Sequence, residues 1–259
     1  MTTINERLRL DGKKIYVTGG AQGLGKSMAQ GLAEAGADIA IVDIQLEKAQ
    51  ETAKEIAEST GRNVIAVKAD VTSPEDVDKM IKTIVTKLGG LDVAFNNAGM
   101  VINTPATETS FEQWQKVINL NLNGIFLTAQ AAGKYMIEHG GGSIVNTASM
   151  SAHIVNRPQP QASYNASKAG VIQLSKSLAI EWAKKGVRVN TISPGYMATD
   201  LTLNSEALKP LIKIWNDWAP MERMGKPEEL QGIAVYLASD TSSFATGADF
   251  QIDGAFTAW

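Results

Sequence analysis

Short runs rich in β-branched and aromatic residues alternate along the chain with longer segments in which apolar residues recur every three or four positions. The short runs predict seven strands, which we place at residues 14–18, 38–42, 63–68, 92–95, 143–147, 188–193 and 250–253. The longer segments predict helices, as in Met28, Leu32 and Ala35, in Val77, Met80, Ile81 and Ile84, and in Val171, Leu174, Leu178 and Trp182. Strands that alternate with helices predict a parallel sheet with right-handed crossovers.

Residues 39–42, with the sequence Ile-Ala-Ile-Val, are apolar on both faces of the predicted strand. Such a strand is typical of a sheet that helices cover on each side. Because no repeat, low-complexity tract or linker divides the chain, residues 1–259 are predicted to form a single α/β domain. The stretch at about 199–224, with Pro210 and Pro220, is less regular and is expected to form a flap over a site.

The charge pattern excludes several classes of partner. The formal net charge is -3, and no basic run is long enough to form a stripe for nucleic acid or a membrane surface. Small neutral molecules suit such a chain better. The first 11 residues lack the apolar core of a signal peptide, and no apolar run reaches the ~20 residues of a membrane span. A cytoplasmic protein is therefore expected.

Residue types that bind transition metals are scarce. The chain has no cysteine, which excludes disulfides and thiolate zinc sites, and its two histidines are His139 and His153. Two histidines are too few for an imidazole cluster around a catalytic metal. We therefore expect no metal in the site.

Glycines cluster at residues 18–25, with the sequence Thr-Gly-Gly-Ala-Gln-Gly-Leu-Gly, between the first predicted strand and the first predicted helix. Glycines there permit a tight turn, and a helix N-terminus offers free N–H groups to a pyrophosphate. The same segment also matches a P-loop, because Gly20 and Gly25 are followed by Lys26 and Ser27. Asp43 favours a dinucleotide, because it ends the second strand about 20 residues after the last glycine, where a carboxylate accepts hydrogen bonds from an adenosine ribose.

Asp43 also predicts which dinucleotide is bound. A 2′-phosphate about 4 Å from this carboxylate would be repelled by about 4 kcal/mol per unit charge at an effective dielectric near 20. Neither the glycine loop nor Ile44 offers a compensating cation. NAD is therefore expected rather than NADP. The alternative is an ordinary strand-end aspartate that caps the following helix.

Tyr164 and Lys168 lie about one helical turn apart, so their side chains share a face of a helix. A tyrosine titrates near pH 10, and roughly three pKa units, about 4 kcal/mol, must come from its surroundings if it is to act as an acid or base near neutral pH. The nearby ammonium would supply this effect. For this spacing alone, a surface tyrosine and lysine on an amphipathic helix is the alternative.

The order of these motifs resembles the short-chain dehydrogenase/reductase family over nearly the full length of the chain. The resemblance rests on Thr18-Gly19-x-x-x-Gly23-x-Gly25, Asp70-Val71, Asn96-Asn97-Ala98-Gly99, Asn121, Ser149, Tyr164-x-x-x-Lys168 and Pro194-Gly195. It implies a doubly wound Rossmann-type fold with seven parallel strands, and hydride transfer between NAD(H) and a secondary alcohol or ketone. It also implies an NAD site formed by Gly19, Gln22, Gly23, Leu24, Gly25, Asp43, Ile44, Asp70, Val71, Asn97, Ala98, Gly99, Tyr164, Lys168, Pro194, Gly195, Met197 and Thr199.

The same resemblance implies four catalytic residues. Tyr164 would take the proton of the alcohol and return it during reduction, while Lys168 would lower the pKa of Tyr164 and hold the nicotinamide ribose. Ser149 would donate to the substrate oxygen as negative charge develops there, and Asn121 would support a water-linked proton relay to Lys168. Ser149 lies two residues further from Tyr164 than in many relatives, so Ser151 is an alternative. We prefer Ser149 because it directly follows a predicted strand.

The segment after Ser149 is similar to the branch of the family that acts on sugar alcohols and ketoses, and so is the C-terminal sequence at 253–259. A sugar alcohol and its ketose are therefore the expected substrates, with reduction of acyl-carrier ketones as the runner-up. Ser151, His153 and Asn156, together with Ser149 and Tyr164, would contact the hydroxyls of a polyol. For His153 we favour the simpler interpretation of a hydrogen-bonded loop residue.

The resemblance further implies a homotetramer. Apolar faces at 111–139 and 164–182 and the aromatic residues Phe256 and Trp259 agree with assembly, and the tail could instead fold over its own core. Two other classes of protein are a P-loop ATPase or kinase and a regulatory protein that binds the cofactor without turnover. The order of the motifs disfavours the first class, and the intact Ser149, Tyr164 and Lys168 disfavour the second.

Overall fold

The computed structural model describes residues 2–258, and within that range it contains seven strands and ten α-helices. The strands are β1 (Lys14–Thr18), β2 (Asp38–Asp43), β3 (Val64–Lys68), β4 (Val93–Asn96), β5 (Gly142–Thr147), β6 (Val187–Pro194) and β7 (Asp249–Ile252). The helices are α1 (Ile4–Leu8), α2 (Gly23–Glu34), α3 (Leu46–Thr60), α4 (Pro74–Leu88), α5 (Phe111–Ile118), α6 (Gly124–Glu138), α7 (Ala162–Trp182), α8 (Asp200–Leu203), α9 (Lys209–Trp218) and α10 (Gln231–Ala238).

The seven strands form one parallel sheet in the order β3-β2-β1-β4-β5-β6-β7. The seven predicted strands are confirmed, and each end differs from its prediction by at most one residue. The order reverses direction where β1 lies beside β4. At such a switch point the connections after the two strands diverge to opposite faces, which leaves a crevice at the carboxyl ends of the strands.

Each face of the sheet buries its own hydrophobic cluster. Along β2, Ile39 and Ile41 belong to the cluster beneath α2 and α10, while Ala40 and Val42 belong to the cluster beneath α4, α6 and α7. All four side chains are fully buried. The predicted α/β architecture with helices on both faces is therefore confirmed. The sequence pattern revealed it because a strand buried on both sides must be apolar at every position.

Local signals set the ends of the helices. In α4 the hydroxyl of Ser73 accepts a 3.2 Å hydrogen bond from the backbone N–H of Asp76, and Pro74 occupies the first turn. Gly89 ends the same helix at φ 83°, a left-handed conformation that favours glycine. Serine caps a helix N-terminus and proline fits its first turn, so this short sequence specifies where α4 lies.

The flap at 199–224 is more regular than predicted, since it contains α8 and α9. Thr199 caps α8 by accepting a 3.3 Å hydrogen bond from the backbone N–H of Thr202. Pro210 lies in the first turn of α9, where the missing N–H has no helical partner in any case. The prediction of irregular structure from Pro210 is therefore wrong, because a proline in the first turn favours the start of a helix.

The C-terminal segment folds against its own chain. The ring of Phe256 contacts the ring of Tyr196 edge-on, with 5.3 Å between centroids. Trp259, which the sequence placed in subunit assembly, lies outside the described residues. None of the helices within residues 2–258 is long and apolar enough to cross a bilayer.

Candidate active site

A cavity of about 1330 Å³ opens at the carboxyl ends of the strands. Residues that end or follow six consecutive strands line it, namely Gly19, Asp43, Asp70, Asn97, Thr147 and Pro194. Pockets for drug-sized ligands are roughly 300 to 1,000 Å³, so this cavity has room for a dinucleotide and a substrate together.

The glycine loop between β1 and α2 fits a pyrophosphate. Gly19 has φ +61°, and a Cβ placed there would lie 3.0 Å from the Cα of Ala98. Gln22, at the N-terminus of α2, makes no side-chain hydrogen bond to the first turn, so N–H groups of that turn are free to meet an anion. Gly25 does not line the cavity, and a Cβ there would lie 2.2 Å from the carbonyl oxygen of Gly19. Its role is therefore close packing of the loop.

The carboxylate of Asp43 lies where the sequence placed it, at the end of β2 and facing the cavity. It accepts hydrogen bonds from the backbone N–H groups of Gln45, at 3.0 Å, and Ala21, at 3.3 Å. Lys48, on α3, lines the same cavity and donates to the side chain of Gln22. Lys48 therefore brings to this end of the cavity a cation that belongs neither to the glycine loop nor to the residue after Asp43.

The lysine of the P-loop pattern lines the cavity but is paired with a carboxylate. Lys26 forms an ion pair with Glu55 of α3. The strand order β3-β2-β1-β4-β5-β6 is that of the dinucleotide-binding fold. The match of residues 20–27 to a P-loop is therefore a coincidence of glycine spacing.

Asn97 ties together the carboxyl ends of β1, β4 and β5. Its Nδ2 donates to the carbonyl oxygen of Thr18 at 3.1 Å, and its Oδ1 accepts from the hydroxyl of Thr147 at 3.3 Å. Its backbone N–H donates to the Thr18 hydroxyl at 2.9 Å, and the N–H of Ala98 does the same at 3.1 Å. These bonds hold the floor of the crevice rigid.

The side chains of Lys168 and Asn121 both approach Gly99. A Cβ on this glycine would be 3.5 Å from the Nζ of Lys168 and 3.3 Å from the Oδ1 of Asn121. Lys168 exposes 3% of its surface, and its Nζ donates a 2.7 Å hydrogen bond to the carbonyl oxygen of Thr147. Asn121 is fully buried within a π-helical turn, Asn119–Asn123, and does not line the cavity.

Asn121 is held in place by the main chain of Met100. Its Oδ1 accepts from the N–H of Met100 and its Nδ2 donates to the carbonyl oxygen of that residue, each at 2.8 Å. Its Nδ2 also donates to the hydroxyl of Ser167 at 3.1 Å. Since these bonds occupy the side-chain amide, its contact with a relay depends on its remaining carbonyl lone pair or its backbone oxygen.

Burial dominates the titration of both Tyr164 and Lys168. It raises the pKa of Tyr164, while a hydrogen bond from the Ser149 side chain opposes this rise. Burial also lowers the pKa of Lys168 to about 8. The Nζ of Lys168 lies 5.6 Å from the centroid of the Tyr164 ring. The expected acidic phenol beside the amine is thus not what the structure shows, because removal of water disfavours the charged form of each group.

Both candidate serines, Ser149 and Ser151, line the cavity with Tyr164, and Ser149 is the one that opposes the rise in the pKa of Tyr164. The Oγ of Ser149 accepts a 3.1 Å hydrogen bond from the backbone N–H of Ser151 and donates to its Oγ, also at 3.1 Å. Gln161 extends this network, since its Nε2 donates to the Oγ of Ser151 at 3.3 Å and to the Oδ1 of Asn156 at 3.0 Å. Ser151 and Asn156 line the cavity, as the sequence predicts for substrate contacts.

Sequence reasoning missed four residues that line this end of the cavity. They are Gln159, Gln161, Tyr196 and Trp215. The position of Tyr196 directly after Pro194-Gly195 was a usable signal, because that pair lies at the end of a strand in the nicotinamide region. Gln159, Gln161 and Trp215 carry no comparable pattern, and only the fold brings them together.

His153 does not line the cavity. Its Nε2 lies 2.7 Å from the Oδ2 of Asp249 at the start of β7. The Oδ1 of the same carboxylate accepts from the hydroxyls of Thr191 and Ser193, at 2.6 and 2.7 Å. The structure therefore corrects the assignment of His153 to the substrate site and agrees with the interpretation of a hydrogen-bonded loop residue.

The remaining predicted residues converge on the cavity. Its lining includes Gly19, Gln22, Gly23, Leu24, Asp43, Ile44, Asp70, Val71, Asn97, Ala98, Gly99, Ser149, Ser151, Asn156, Tyr164, Lys168, Pro194, Gly195, Met197 and Thr199. Of the residues named from the sequence, Gly25, Asn121 and His153 lie outside the lining.

Comparisons with known proteins agree with this geometry. Residues 19–257 match the family model described as enoyl-(acyl carrier protein) reductase. The chain is 43% identical to a sorbose reductase of Schizosaccharomyces pombe, over 95% of this chain and 96% of that protein. It is 42% identical to an NADP-dependent mannitol dehydrogenase of Alternaria alternata, over 98% and 96% of the two chains.

A solved structure is similarly close. A short-chain type dehydrogenase/reductase from Mycobacterium marinum superposes with a TM-score of 0.95 at 41% identity, covering 98% of this chain and 99% of that one. The seven-stranded parallel sheet agrees with these matches. The chain is an oxidoreductase that belongs to the short-chain dehydrogenase/reductase family.

Proposed function

We propose that this protein interconverts a sugar alcohol and its ketose with NAD as the hydride carrier. The observation that supports this most directly is the half-buried Tyr164, which lines the cavity together with Ser149 where the dinucleotide crevice meets a neutral cluster of hydroxyl and amide groups. When bound, the nicotinamide supplies or accepts the hydride. The side chains of this protein bind and orient the substrate and move the proton.

Tyr164 carries the proton. Because burial raises its pKa, the phenol is protonated at neutral pH and can donate to a developing alkoxide during reduction of a ketone. Oxidation requires the phenolate, which the hydroxyl of Ser149 stabilises through its hydrogen bond. We also propose that the Ser149 hydroxyl turns from the Oγ of Ser151 and donates to the substrate oxygen as negative charge develops.

Lys168 places a positive charge in the site and is proposed to hold the nicotinamide ribose. With a pKa of about 8, its amine is mostly protonated at neutral pH. The hydrogen bond to Thr147 uses one of its three N–H groups, which leaves two for the nicotinamide ribose. Asn121, which also approaches Gly99, is proposed to connect Lys168 to a chain of water molecules that carries the proton to solvent.

The preference for NAD is supported by Asp43. Its carboxylate faces the cavity, and backbone N–H groups hold it in place where an adenosine ribose would bind. Lys48 opposes this preference by offering a cation to a 2′-phosphate. We therefore expect selection against NADP to be weaker than the repulsion from Asp43 alone, about 4 kcal/mol, would give.

The choice of a polyol over an acyl-carrier ketone is supported by the substrate end of the cavity. Ser151, Asn156, Gln159, Gln161 and Tyr196 place hydroxyl and amide groups there. A polyol can bond to the N–H and O–H groups that are not used within this network, whereas an alkyl chain would remove water from those groups and offer no replacement. The sorbose reductase and the mannitol dehydrogenase carry substrates of this class in their names.

A homotetramer is the proposed assembly. Large apolar side chains are exposed on three neighbouring helices, with Phe111 and Trp114 on α5, Phe126 on α6 and Ile180 on α7. Phe111 exposes 71% and Ile180 84% of its surface, an arrangement typical of an interface between subunits. Sedimentation equilibrium should give about four times the chain mass of 27.7 kDa, and a monomer would refute this part of the proposal.

A substrate panel tests the function. Purified protein should reduce one or more ketoses, or oxidise the matching pentitol or hexitol, with a change in nicotinamide absorbance that is larger with NAD(H) than with NADP(H). Tyr164→Phe should abolish turnover while cofactor binding, followed by fluorescence titration, persists. Tyr236→Phe is the matched control, because this tyrosine packs edge-on against Phe250 and does not line the cavity. Failure of the wild type on the whole panel with both cofactors would refute the proposal.

A further inference from the structure

Tyr196 lies in the cavity next to the proposed nicotinamide region without a role in the mechanism above. It follows Pro194 and Gly195 at the end of β6. Its ring stacks on Trp215 of α9, with 4.1 Å between centroids and 9° between planes, and contacts Phe256 edge-on. Aromatic contacts on two sides fix the ring, so its hydroxyl occupies a defined position.

The hydroxyl of Tyr196 accepts two hydrogen bonds. The Nδ2 of Asn156 donates to it at 3.0 Å, and the Nε2 of Gln159 donates at 2.8 Å. A phenol has one hydrogen and can accept through its oxygen. Since two N–H groups already occupy the oxygen, the group that Tyr196 has left to offer is its own O–H hydrogen. Acceptance of two bonds also polarises that O–H, which makes it a better donor.

Further contacts set the orientation of both amides. The Oδ1 of Asn156 accepts from the Nε2 of Gln161 at 3.0 Å, and the Oε1 of Gln159 accepts from the indole N–H of Trp215 at 3.3 Å. Asn156, Gln159 and Gln161 are all buried. Because the carbonyl oxygens of Asn156 and Gln159 are engaged in this way, their N–H₂ groups face the Tyr196 hydroxyl. The network therefore leaves Tyr196 the role of a donor.

The Tyr196 hydroxyl and the Ser149 hydroxyl lie at opposite ends of a chain of hydrogen bonds. Four hydrogen bonds connect the Oγ of Ser149 to it, passing through Ser151, Gln161 and Asn156. A substrate oxygen at Ser149 and Tyr164 is therefore separate from one at Tyr196. The connecting side chains carry no formal charge, which suits a neutral, multiply hydroxylated molecule better than a sugar acid.

We propose that Tyr196 is a specificity-determining residue that donates its O–H to a distal hydroxyl oxygen of a neutral ketose or polyol. Asn156 and Gln159 are positioning residues that act through Tyr196. This inference rests on the proposed function and adds to it a requirement for a substrate long enough to reach from Ser149 to Tyr196.

The test is Tyr196→Phe, which keeps the aromatic ring and removes the hydroxyl. For a ketohexose, kcat/KM should fall about 10- to 100-fold, mainly through KM, because the variant leaves the distal hydroxyl of the substrate without its donor. For hydroxyacetone, which has the ketone but no distal hydroxyl, kcat/KM should change by less than about threefold. Tyr236→Phe should change neither value.

Gln159→Leu separates positioning from direct contact. Alone it should reduce kcat/KM for the ketohexose. In the Tyr196→Phe background it should cause little further reduction, because Gln159 acts through the hydroxyl that this background already lacks. Equal losses on the two substrates would assign Tyr196 a structural role and overturn the inference, as would a wild type that shows no preference for the longer ketose. A wild type inactive on every ketose would instead refute the proposed function, and the inference with it.

Discussion

The side-chain amine of Lys168 donates a 2.7 Å hydrogen bond to the carbonyl oxygen of Thr147, the last residue of β5. This bond fixes a lysine of the long helix α7 at the carboxyl end of a central strand. It holds a cation inside a buried site. Removal of water from this cation costs free energy, and that cost is the reason why the pKa of the amine is lowered.

The buried amine makes the stability of the protein depend on pH. The pKa of Lys168 is about 8 in the fold and 10.5 in its ordinary state, so the unfolded chain binds more protons between these two values. The free energy of unfolding should therefore rise with pH from 8 to 10.5, by up to about 3 kcal/mol. Below pH 8 this contribution is absent.

Lys168→Met isolates this effect, since the variant has a side chain of similar length with no charge. Urea unfolding at pH 7 and pH 10 should show the wild type gaining stability relative to Lys168→Met at the higher pH. An unchanged difference between the two proteins would show that the amine titrates normally in the fold.

Ser149→Ala should shift the pH dependence of oxidation. The hydrogen bond from Ser149 lowers the pKa of Tyr164 against the rise caused by burial, so its removal raises that pKa further. Oxidation requires the phenolate, so the oxidation rate rises with pH as Tyr164 loses its proton. In the variant this rise should move to higher pH. Loss of a donor to the developing oxyanion should also reduce kcat about 100- to 1,000-fold.

Ser151→Ala is the comparison for Ser149→Ala, because its Oγ contacts the Oγ of Ser149. When the oxidation rate is measured from pH 6 to pH 11, the rate should rise at nearly the same pH in Ser151→Ala as in the wild type. A larger shift in Ser151→Ala than in Ser149→Ala would reverse the assignment of the two serines.

Asp43 and Lys48 should act on cofactor choice in opposite directions. Asp43→Asn removes the repulsion of a 2′-phosphate and should lower the ratio of kcat/KM for NAD over NADP about 10- to 100-fold. Lys48→Met should raise this ratio, by about three- to tenfold, because it removes the cation beside Gln22.

Lys54→Met is the control for Lys48→Met, since Lys54 lies on the same helix, is exposed and does not line the cavity. Initial rates with both cofactors should show no change in preference for this variant. If Lys48→Met and Lys54→Met behave alike, the effect of Lys48 is a general change of surface charge.

His153→Ala should leave substrate recognition intact. Its imidazole contacts Asp249 rather than the cavity, so KM for the best ketose should change by less than about twofold, while stability falls by about 1 kcal/mol. Asn156→Ala should raise the same KM about tenfold, because Asn156 lines the cavity and orients Tyr196. Equal effects of the two variants on KM would restore His153 to the substrate site.

Elements that depend on local pattern could be predicted from the chain alone. The alternation of runs such as residues 39–42 with helical repeats determined the parallel sheet, because a strand buried on both faces cannot carry polar side chains. The glycine loop, Asp43 and the Tyr164 and Lys168 pair were also readable, since each lies at the end of a predicted strand or on one face of a predicted helix. Pro210 led to a wrong prediction of irregular structure, because a proline breaks the interior of a helix but fits its first turn, and the sequence did not show where α9 starts.

Contacts between distant segments were decided only by the tertiary structure. Lys48 reaches the cofactor end of the cavity from α3, while His153 turns away from the cavity to meet Asp249, 96 residues further along the chain. Burial sets the direction of the pKa shifts of Tyr164 and Lys168, and a sequence does not show how much water a fold removes. The network of Asn156, Gln159 and Tyr196 likewise exists only where the turn before α7 meets the end of β6, because hydrogen bonds between remote side chains have no local pattern in sequence.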